Sequence, residues 1–421
     1  MGKDSVVEYR KPGTIEDPLT ELLRRGARQL IEQAIEAELA ELLRRYAGQV
    51  DDQGRRAVVR NGYLPEREIL TGVGPVAVKV PKVRSRTGEA VVFRSALVPP
   101  YVRKARRVEA ALPWLYLKGV ATGQMQAALE VLVGEEAKGL SASVIGRLKR
   151  EWEAEYAAWR QRDLCRDRWV YVWADGIYSG LRADHQKLCV LVIIGVNERG
   201  EKHFLAIEDG VRESTQSWRE VLLDLKRRGL TIPPKLAVGD GALGFWSALE
   251  EVYPATRHQR CWVHKTANVL NYLPKGVQPK AKRALQEIWM AEERGAAQRA
   301  FDHFVRAYRA KYPRAVACLE KDREALLAFY DFPAEHWVHI RTTNPIESTF
   351  ATIRHRTDQA KGCVSRGTML AMIYKLGMSA EQRWRRIRGS SYLAKVIDGV
   401  KFRDGIEVNS KTDTHHRRSA A

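Results

Sequence analysis

Three acidic residues far apart in the chain, Asp175, Asp240 and Glu347, sit in settings where a carboxylate is unusual. Asp175 follows the uncharged run Trp169 to Ala174 and precedes Gly176, and Asp240 closes Leu236-Ala-Val-Gly in the same way. An ionised carboxylate at the end of a buried strand is costly unless it is hydrogen-bonded or faces a metal. An Asp-Gly step alone marks only a turn, and the chain has five, at 175, 209, 240, 398 and 404. Glu347 ends Arg341-Thr-Thr-Asn-Pro-Ile-Glu347, which also reads as a capping box with Asn344 at N-cap, Pro345 at N1 and Glu347 at N3. Three converging carboxylates repel one another unless cations intervene. Oxygen ligands select hard ions, so Mg²⁺ or Mn²⁺ is expected, as two ions about 3.5–4 Å apart gripping both oxygens of an in-line phosphoryl displacement. Water as nucleophile would cleave a strand, and a sugar 3′-hydroxyl would join one.

The elements around these residues must bring them together. The apolar run into Asp175 predicts a central strand buried on both faces, ending at the Asp. Lys187–Gly195 and Lys202–Ile207 follow as an antiparallel meander, Ser214 caps a helix through Arg228, and Leu236–Gly239 is a fourth strand. The helix Leu243–Glu251 and a fifth strand over Arg257–Trp262 complete an α/β mixed sheet in the order of a ribonuclease-H-like core. In that order the first and fourth strands lie side by side, so Asp175 and Asp240 become neighbours. Asp209 falls at the far side and is a poor third partner, which leaves Glu347 on a later helix. Residues 265–340 carry helical periodicity only, over 280–291, 296–311 and 314–330, and are expected as an all-helical insertion. On the Glu347 helix, Ile346, Phe350 and Ile353 should face the core, while Arg354 and Lys361 lie near the Glu347 stripe for contact with a sugar-phosphate chain. A basic helix around Met369–Arg388 and a polar tail over 391–421 close the chain.

The 421 residues hold 71 Lys and Arg against 51 Asp and Glu, a net charge of +20, so a polyanion is the expected partner, nucleic acid ahead of a membrane surface. The five Cys are scattered without a Cys-x-x-Cys pair, no signal peptide opens the chain, and no apolar run spans a bilayer; a cytoplasmic protein is expected. Residues 18–46 are expected as one long amphipathic helix that makes up most of an N-terminal region 1–50, and its apolar stripe is expected to pack on the body. Residues 53–107 hold thirteen basic residues against three acidic ones, around a small hairpin at Val76–Val80. Arg55, Arg56, Arg60, Lys79, Lys82, Arg84, Arg103, Lys104, Arg106 and Arg107 are the candidate phosphate contacts of this 51–107 segment. Residues 108–164 read as helices over 108–118 and 122–133, then a third capped by Ser141 or Ser143, with Arg147, Lys149 and Arg150 on its polar side. That is a helix-turn-helix outline able to lie in a major groove, although a plain three-helix bundle needs no DNA. His258, Cys261 and His264 recur at three-residue intervals as zinc ligands would, but no fourth ligand shows, and packing near the acidic site is the expected role. His336 and His339, either side of Trp337, read as ordinary surface or core residues.

The pieces Asp175-Gly-Ile-Tyr178, Gly239-Asp-Gly241, Cys261-Trp-Val-His264 and Arg341-Thr-Thr-Asn-Pro-Ile-Glu-Ser348 resemble, in that order, the Mutator family of bacterial insertion-sequence transposases. Upstream, Arg60-Asn-Gly-Tyr63, Pro81-Lys-Val-Arg84 and Gly139-Leu-Ser-Ala-Ser143 are also similar, so the likeness spans about residues 55–390. It implies a DDE transposase with the triad Asp175, Asp240 and Glu347, a Cys261/His264 signature beside it, and an all-helical segment between the second Asp and the Glu. With two Mg²⁺ or Mn²⁺ ions expected per site, DNA ends and target DNA are the expected partners, Arg341 is a further candidate DNA contact, and holding two ends together calls for a homodimer or larger assembly on DNA. In that scheme the core comprises 165–264 and 341–390 around the insertion 265–340. Two other readings remain open from the sequence: a non-catalytic DNA-binding descendant, and a ribonuclease-H-like nuclease that never joins strands.

Overall fold

The computed structural model describes residues 18–108, 142–183, 186–210, 213–357 and 365–408, with Ala111, Leu115 and Val120 between the first two stretches. Most of the expected 108–118 helix, the 122–133 helix, Ser141 and Lys361 therefore lie outside the described residues, as do the side chains of Ser143 and Arg354. The chain divides into two compact units after Leu148. Among the described residues, no helix is long and apolar enough to cross a membrane.

In the first unit, α1 (Pro18–Arg45) buries Ile35 and Leu39 against a hairpin of β2 (Arg67–Thr71) and β3 (Gly74–Val78). Alternation is the cause: Val76, Val78 and Val80 point inward together and meet Phe93 and Val98. A second antiparallel pair, β1 (Val58–Tyr63) with β4 (Pro81–Ser85), was not legible because its strands carry Arg60, Lys82 and Arg84 among few apolar residues. The first turns of α1 leave Leu19, Leu22 and Leu23 exposed, so its stripe is covered only in its second half.

The second unit is built on a five-stranded sheet in the order β7-β6-β5-β8-β9: β5 (Trp169–Ala183), β6 (Gln186–Asn197), β7 (Lys202–Gly210), β8 (Leu236–Gly239) and β9 (Arg257–Arg260). β5, β6 and β7 run antiparallel; β8 is parallel to β5, and β9 to β8. This mixed sheet with helices on both faces is the ribonuclease-H-like layout. α2 (Ala142–Arg160), which begins before the division, docks its C-terminal half on the sheet edge, where the Tyr156 hydroxyl donates to the Ile207 carbonyl at 2.6 Å. α3 (Thr215–Arg227), capped by Ser214, and α4 (Leu243–Val252) cover one face with Trp218, Leu222, Phe245 and Leu249. After α5 (Trp262–Leu270) come the inserted α6 (Gln278–Met290), α7 (Arg294–Tyr308) and α8 (Pro313–Glu320). α9 (Asn344–Thr357) returns to β5 on the other face, with Ile346, Phe350 and Ile353 buried, and α10 (Arg366–Glu381) packs on β7.

Four expectations change. β5 continues past Asp175 because β6 still pairs with it there, Asp175 opposite Val192, after β8 has ended. β9 stops at Arg260, and Trp262 already starts α5. The helix expected to reach Arg388 ends at Glu381; α10 is an apolar, largely buried helix, and Arg383, Arg385, Arg386 and Arg388 follow it. Residues 391–408, expected as a tail, fold into a short helix, Leu393–Ile397, and a hairpin of β10 (Phe402–Arg403) and β11 (Ile406–Glu407). That hairpin is held to the insertion by Ala334 N donating to the Gly405 carbonyl and Arg294 N to Asp404 Oδ1.

Candidate active site

Period-two alternation decides where Asp175 points. Val172 and Ala174 join the core beneath α3 and α4, whereas Tyr171 and Trp173 face the helices returning from the insertion. The Tyr171 hydroxyl meets His336 Nδ1 at 2.8 Å and Trp173 Nε1 donates to the His339 carbonyl at 3.1 Å. Asp175, two residues on, belongs to that second face, the one α9 covers. Because Ala174 is in register with Gly239 of β8, Asp240 follows beside Asp175. Its Oδ1 accepts from Ala242 N at 2.9 Å, an Asx turn ahead of α4.

Glu347 is carried in by a clasp at the end of β9. Cys261 N donates to the Gly239 carbonyl (2.8 Å) and Trp262 N to the Arg341 carbonyl (3.0 Å), tying the approach to α9 against the start of α5. Thr343 N donates to Cys261 Sγ at 3.3 Å. The Thr343 hydroxyl donates to Glu347 Oε1 at 2.9 Å and stands 3.3 Å from both Cys261 Sγ and His264 Nδ1. His264 Nδ1 lies 3.5 Å from Glu347 Oε1. The capping box is thus replaced: the Thr343 carbonyl accepts from Ile346 N and Glu347 N, and the Glu347 carboxylate turns to Thr343 and His264 instead.

The electrostatics tie these groups into one cluster. Burial first, then Asp240, pushes the Asp175 carboxyl up to about 7; Glu347 adds to the rise and His264 opposes it. His264 rises to about 9 through its hydrogen bond with Cys261, against burial, with Asp175 and Glu347 adding. Burial raises the Cys261 thiol, yet the bonds from His264 and Thr343 outweigh it and leave it below its ordinary value. Cys261, His264 and Glu347 place one ligand atom each within 4.8 Å of one another. His258 is not in that group; it stacks on Trp246, ring centroids 4.6 Å apart, so Glu347 takes the place that the His258/Cys261/His264 zinc spacing suggested.

Glu213 was missed. It stands one residue ahead of the Ser214 cap, and burial, then Asp240 and Asp175, pushes it up to about 7. A Cβ on Gly176 would collide with the Glu213 carboxylate, and one on Gly244 with the Glu213 carbonyl oxygen. Its only sequence signal is those two glycines, which mean nothing until the fold brings them together. Asp209 is apart, paired with Arg366 at 3.1 Å.

The basic candidates sit as follows. Arg55 is paired with Asp51, Arg60 with Glu36 and Lys79 with Glu66. Arg56, Lys82, Arg84, Arg103, Arg106, Arg107, Arg147 and Arg150 are exposed, and Lys104 and Lys149 half-buried. Arg341 is half-buried, its Nη1 donating to the Trp289 carbonyl at 3.0 Å.

Residues 4–387 match the family model described as "Transposase, Mutator family". The chain is 57% identical over 285 residues, 68% of its length and 96% of the relative's, to the transposase for insertion sequence element IST2 of Acidithiobacillus ferrooxidans. It is 51% identical to the transposase for insertion sequence element IS6120 of Mycolicibacterium smegmatis, over 72% of this chain and 93% of that one. A more distant relative, the transposase for insertion sequence element ISRM5 of Rhizobium meliloti, is 29% identical over 86% of this chain and 88% of its own. With a matching family model along nearly the whole chain and relatives covered almost end to end, this chain belongs to the Mutator family of transposases.

Proposed function

We propose that this DNA transposase cleaves and rejoins DNA through Asp175, Asp240 and Glu347, acting as a metal-dependent carboxylate triad on a ribonuclease-H-like core. One observation carries the reading: a buried Asp175 whose charge is opposed by both Asp240 and Glu347, a repulsion that divalent cations would relieve. The oxygen donors fit Mg²⁺ or Mn²⁺, held by Asp175, Asp240 and Glu347 with Glu213 beside them. Such ions, when bound, polarise the scissile phosphodiester and lower the pKa of the attacking water or 3′-hydroxyl. The chain's own residues do the rest. Burial around Asp175 excludes bulk water, the Thr343 hydroxyl fixes the Glu347 carboxylate, and cationic His264 offsets the negative charge on one flank.

In this reading residues 51–107 and 108–164 bind the element's ends, 165–264 and 341–390 form the catalytic core, and 265–340 are its helical insertion. Two ends must be held together, so the working form is a homodimer or larger assembly on DNA. The test uses DNA flanking the protein's own gene. Asp175→Asn, Asp240→Asn and Glu347→Gln should each abolish Mg²⁺-dependent cleavage and joining while gel shifts on the ends stay unchanged; full activity in any one removes that residue from the mechanism. Cleavage without joined product on a pre-nicked end would make the protein a nuclease.

The grouping of Cys261, His264 and Glu347 favours a second reading, a softer ion such as Zn²⁺ at those three donors. Elemental analysis of the purified protein separates the two, since stoichiometric zinc would remove Glu347 from the Mg²⁺ site.

A further inference from the structure

A cavity of about 450 Å³ opens between α5, α6 and the start of α9. Its α6 wall carries Lys282, Gln286 and Trp289, spaced by four and three residues and so stacked along one face of the helix. Trp289 is half-buried, with the Arg341 guanidinium 4.6 Å from its ring centroid. The opposite walls share elements with the candidate active site: Val263 precedes His264 on α5, and Asn344 lies one helical turn before Glu347 on α9. The cavity wall therefore shares α5 with His264 and α9 with Glu347.

We infer that this cavity receives one unpaired nucleotide of the DNA strand being cut, an inference that rests on the triad reading above. The lining suits a nucleotide: Val263, Ala267, Leu270 and Val338 give an apolar wall for the face of a base, with a few polar groups at its edge. An indole and a guanidinium side by side on the wall offer a base two planar groups to stack on. The exposed amides of Gln286 and Asn344 each offer a donor and an acceptor to a base edge, and the Lys282 ammonium suits the attached phosphate. The volume is that of a small-molecule site rather than a groove for a helix or strand. A base paired in a duplex cannot enter; it must leave the stack, which is least costly beside a broken or already opened step. Residues 265–340 thereby gain a role in the reaction, since the insertion supplies the platform that keeps the strand splayed at the site.

The test is strand cleavage by the full-length protein on duplexes carrying the element's end, fully paired or with a single abasic nucleotide at each of the positions flanking the scissile phosphate. Trp289→Ala should slow cleavage of the paired duplex by about tenfold. One abasic position should restore it to within about twofold of the unmodified protein, because no base then has to be held out of the stack. Gln286→Ala, exposed on α6 and no threat to folding, should give a smaller loss, about threefold, erased by the same abasic position. Paired-duplex cleavage at the unmodified rate in both variants, or a loss that persists on every abasic duplex, overturns the inference. Glu347→Gln runs alongside: if it cleaves, the triad reading itself has failed, whereas an inactive Glu347→Gln beside a fully active Trp289→Ala and Gln286→Ala sinks the nucleotide cavity alone.

Discussion

Thr343 links the Cys261–His264 pair to Glu347 through one hydroxyl, fully buried at the foot of α9. In our reading it acts on catalysis only by holding that carboxylate. Thr343→Val keeps the shape and removes the donor, so cleavage should fall by about 10–100-fold, as for other groups that orient a metal ligand. Thr343→Ser should retain most activity, and raising Mg²⁺ should recover part of the Thr343→Val loss while the thermal melting temperature barely moves. The roles of Thr343 and Glu213 were not legible in the sequence, because a Thr ahead of the Asn344-Pro345 helix start and a Glu one residue ahead of the Ser214 cap are both ordinary there. Their role exists only across 82 residues to Cys261 and between the start of α3 and Gly176 of β5. His339 gives a separate test at this scale. Burial first, then Lys202, His336 and Arg388, lowers it from 6.5 to about 4, and its Nε2 accepts from Arg388 N at 3.0 Å. The unfolded chain takes up this proton first as pH falls, so its share of stability is complete above 6.5 and is lost between 6.5 and about 4. Urea midpoints measured across that window should fall less steeply in His339→Gln than in the unmodified protein.

At the scale of elements, a buried charge cluster fastens the insertion to the sheet. Lys265 on α5 is fully buried; its Nζ donates to the Cys318 carbonyl at 2.8 Å and pairs with Asp322. Arg260, at the end of β9, also reaches Asp322, Nε to Oδ2 3.3 Å. Removing the acid leaves two cations in a dry site. Asp322→Ala should therefore lower stability by about 3 kcal/mol in urea unfolding, at the low end for a broken buried pair because Asp322 keeps some contact with water. The sequence announced the strand that carries Arg260 and the helical insertion, but not the charge cluster between them. The strands of the sheet announced themselves as apolar runs, and the helices as 3.6-residue periods. Where elements stop was harder: β5 outlasts its Asp-Gly step and β9 ends before Cys261, since each boundary is set by a neighbouring strand rather than by the residues themselves. The hairpin of β10 and β11 was hidden for a different reason, its two-residue strands having too few side chains to show a period.

For the whole molecule the dominant physical fact is charge. A net +20 would bind DNA through phosphate neutralisation wherever cations are free of acidic partners. The structure sorts the basic residues of the first unit on that criterion. Arg55, Arg60 and Lys79 have carboxylates beside them, so their charge is partly spent within the protein. Lys82 and Arg84 occupy alternate exposed positions of β4, Arg86 follows, and none of the three has an acidic partner among the described residues. If this strip tracks a DNA backbone, each cation lost removes about 0.9 from the slope of log affinity against log salt. The triple change of Lys82, Arg84 and Arg86 to Ala should lower the slope by about 2.7, to the same extent on the element's end and on unrelated duplex, because phosphate contacts carry no sequence information. Arg55→Ala, which also frees Asp51, should change it by less than about one. An unchanged slope in the triple variant would move the DNA path off β4, and a loss confined to the element's end would mean that the strip reads bases rather than phosphates.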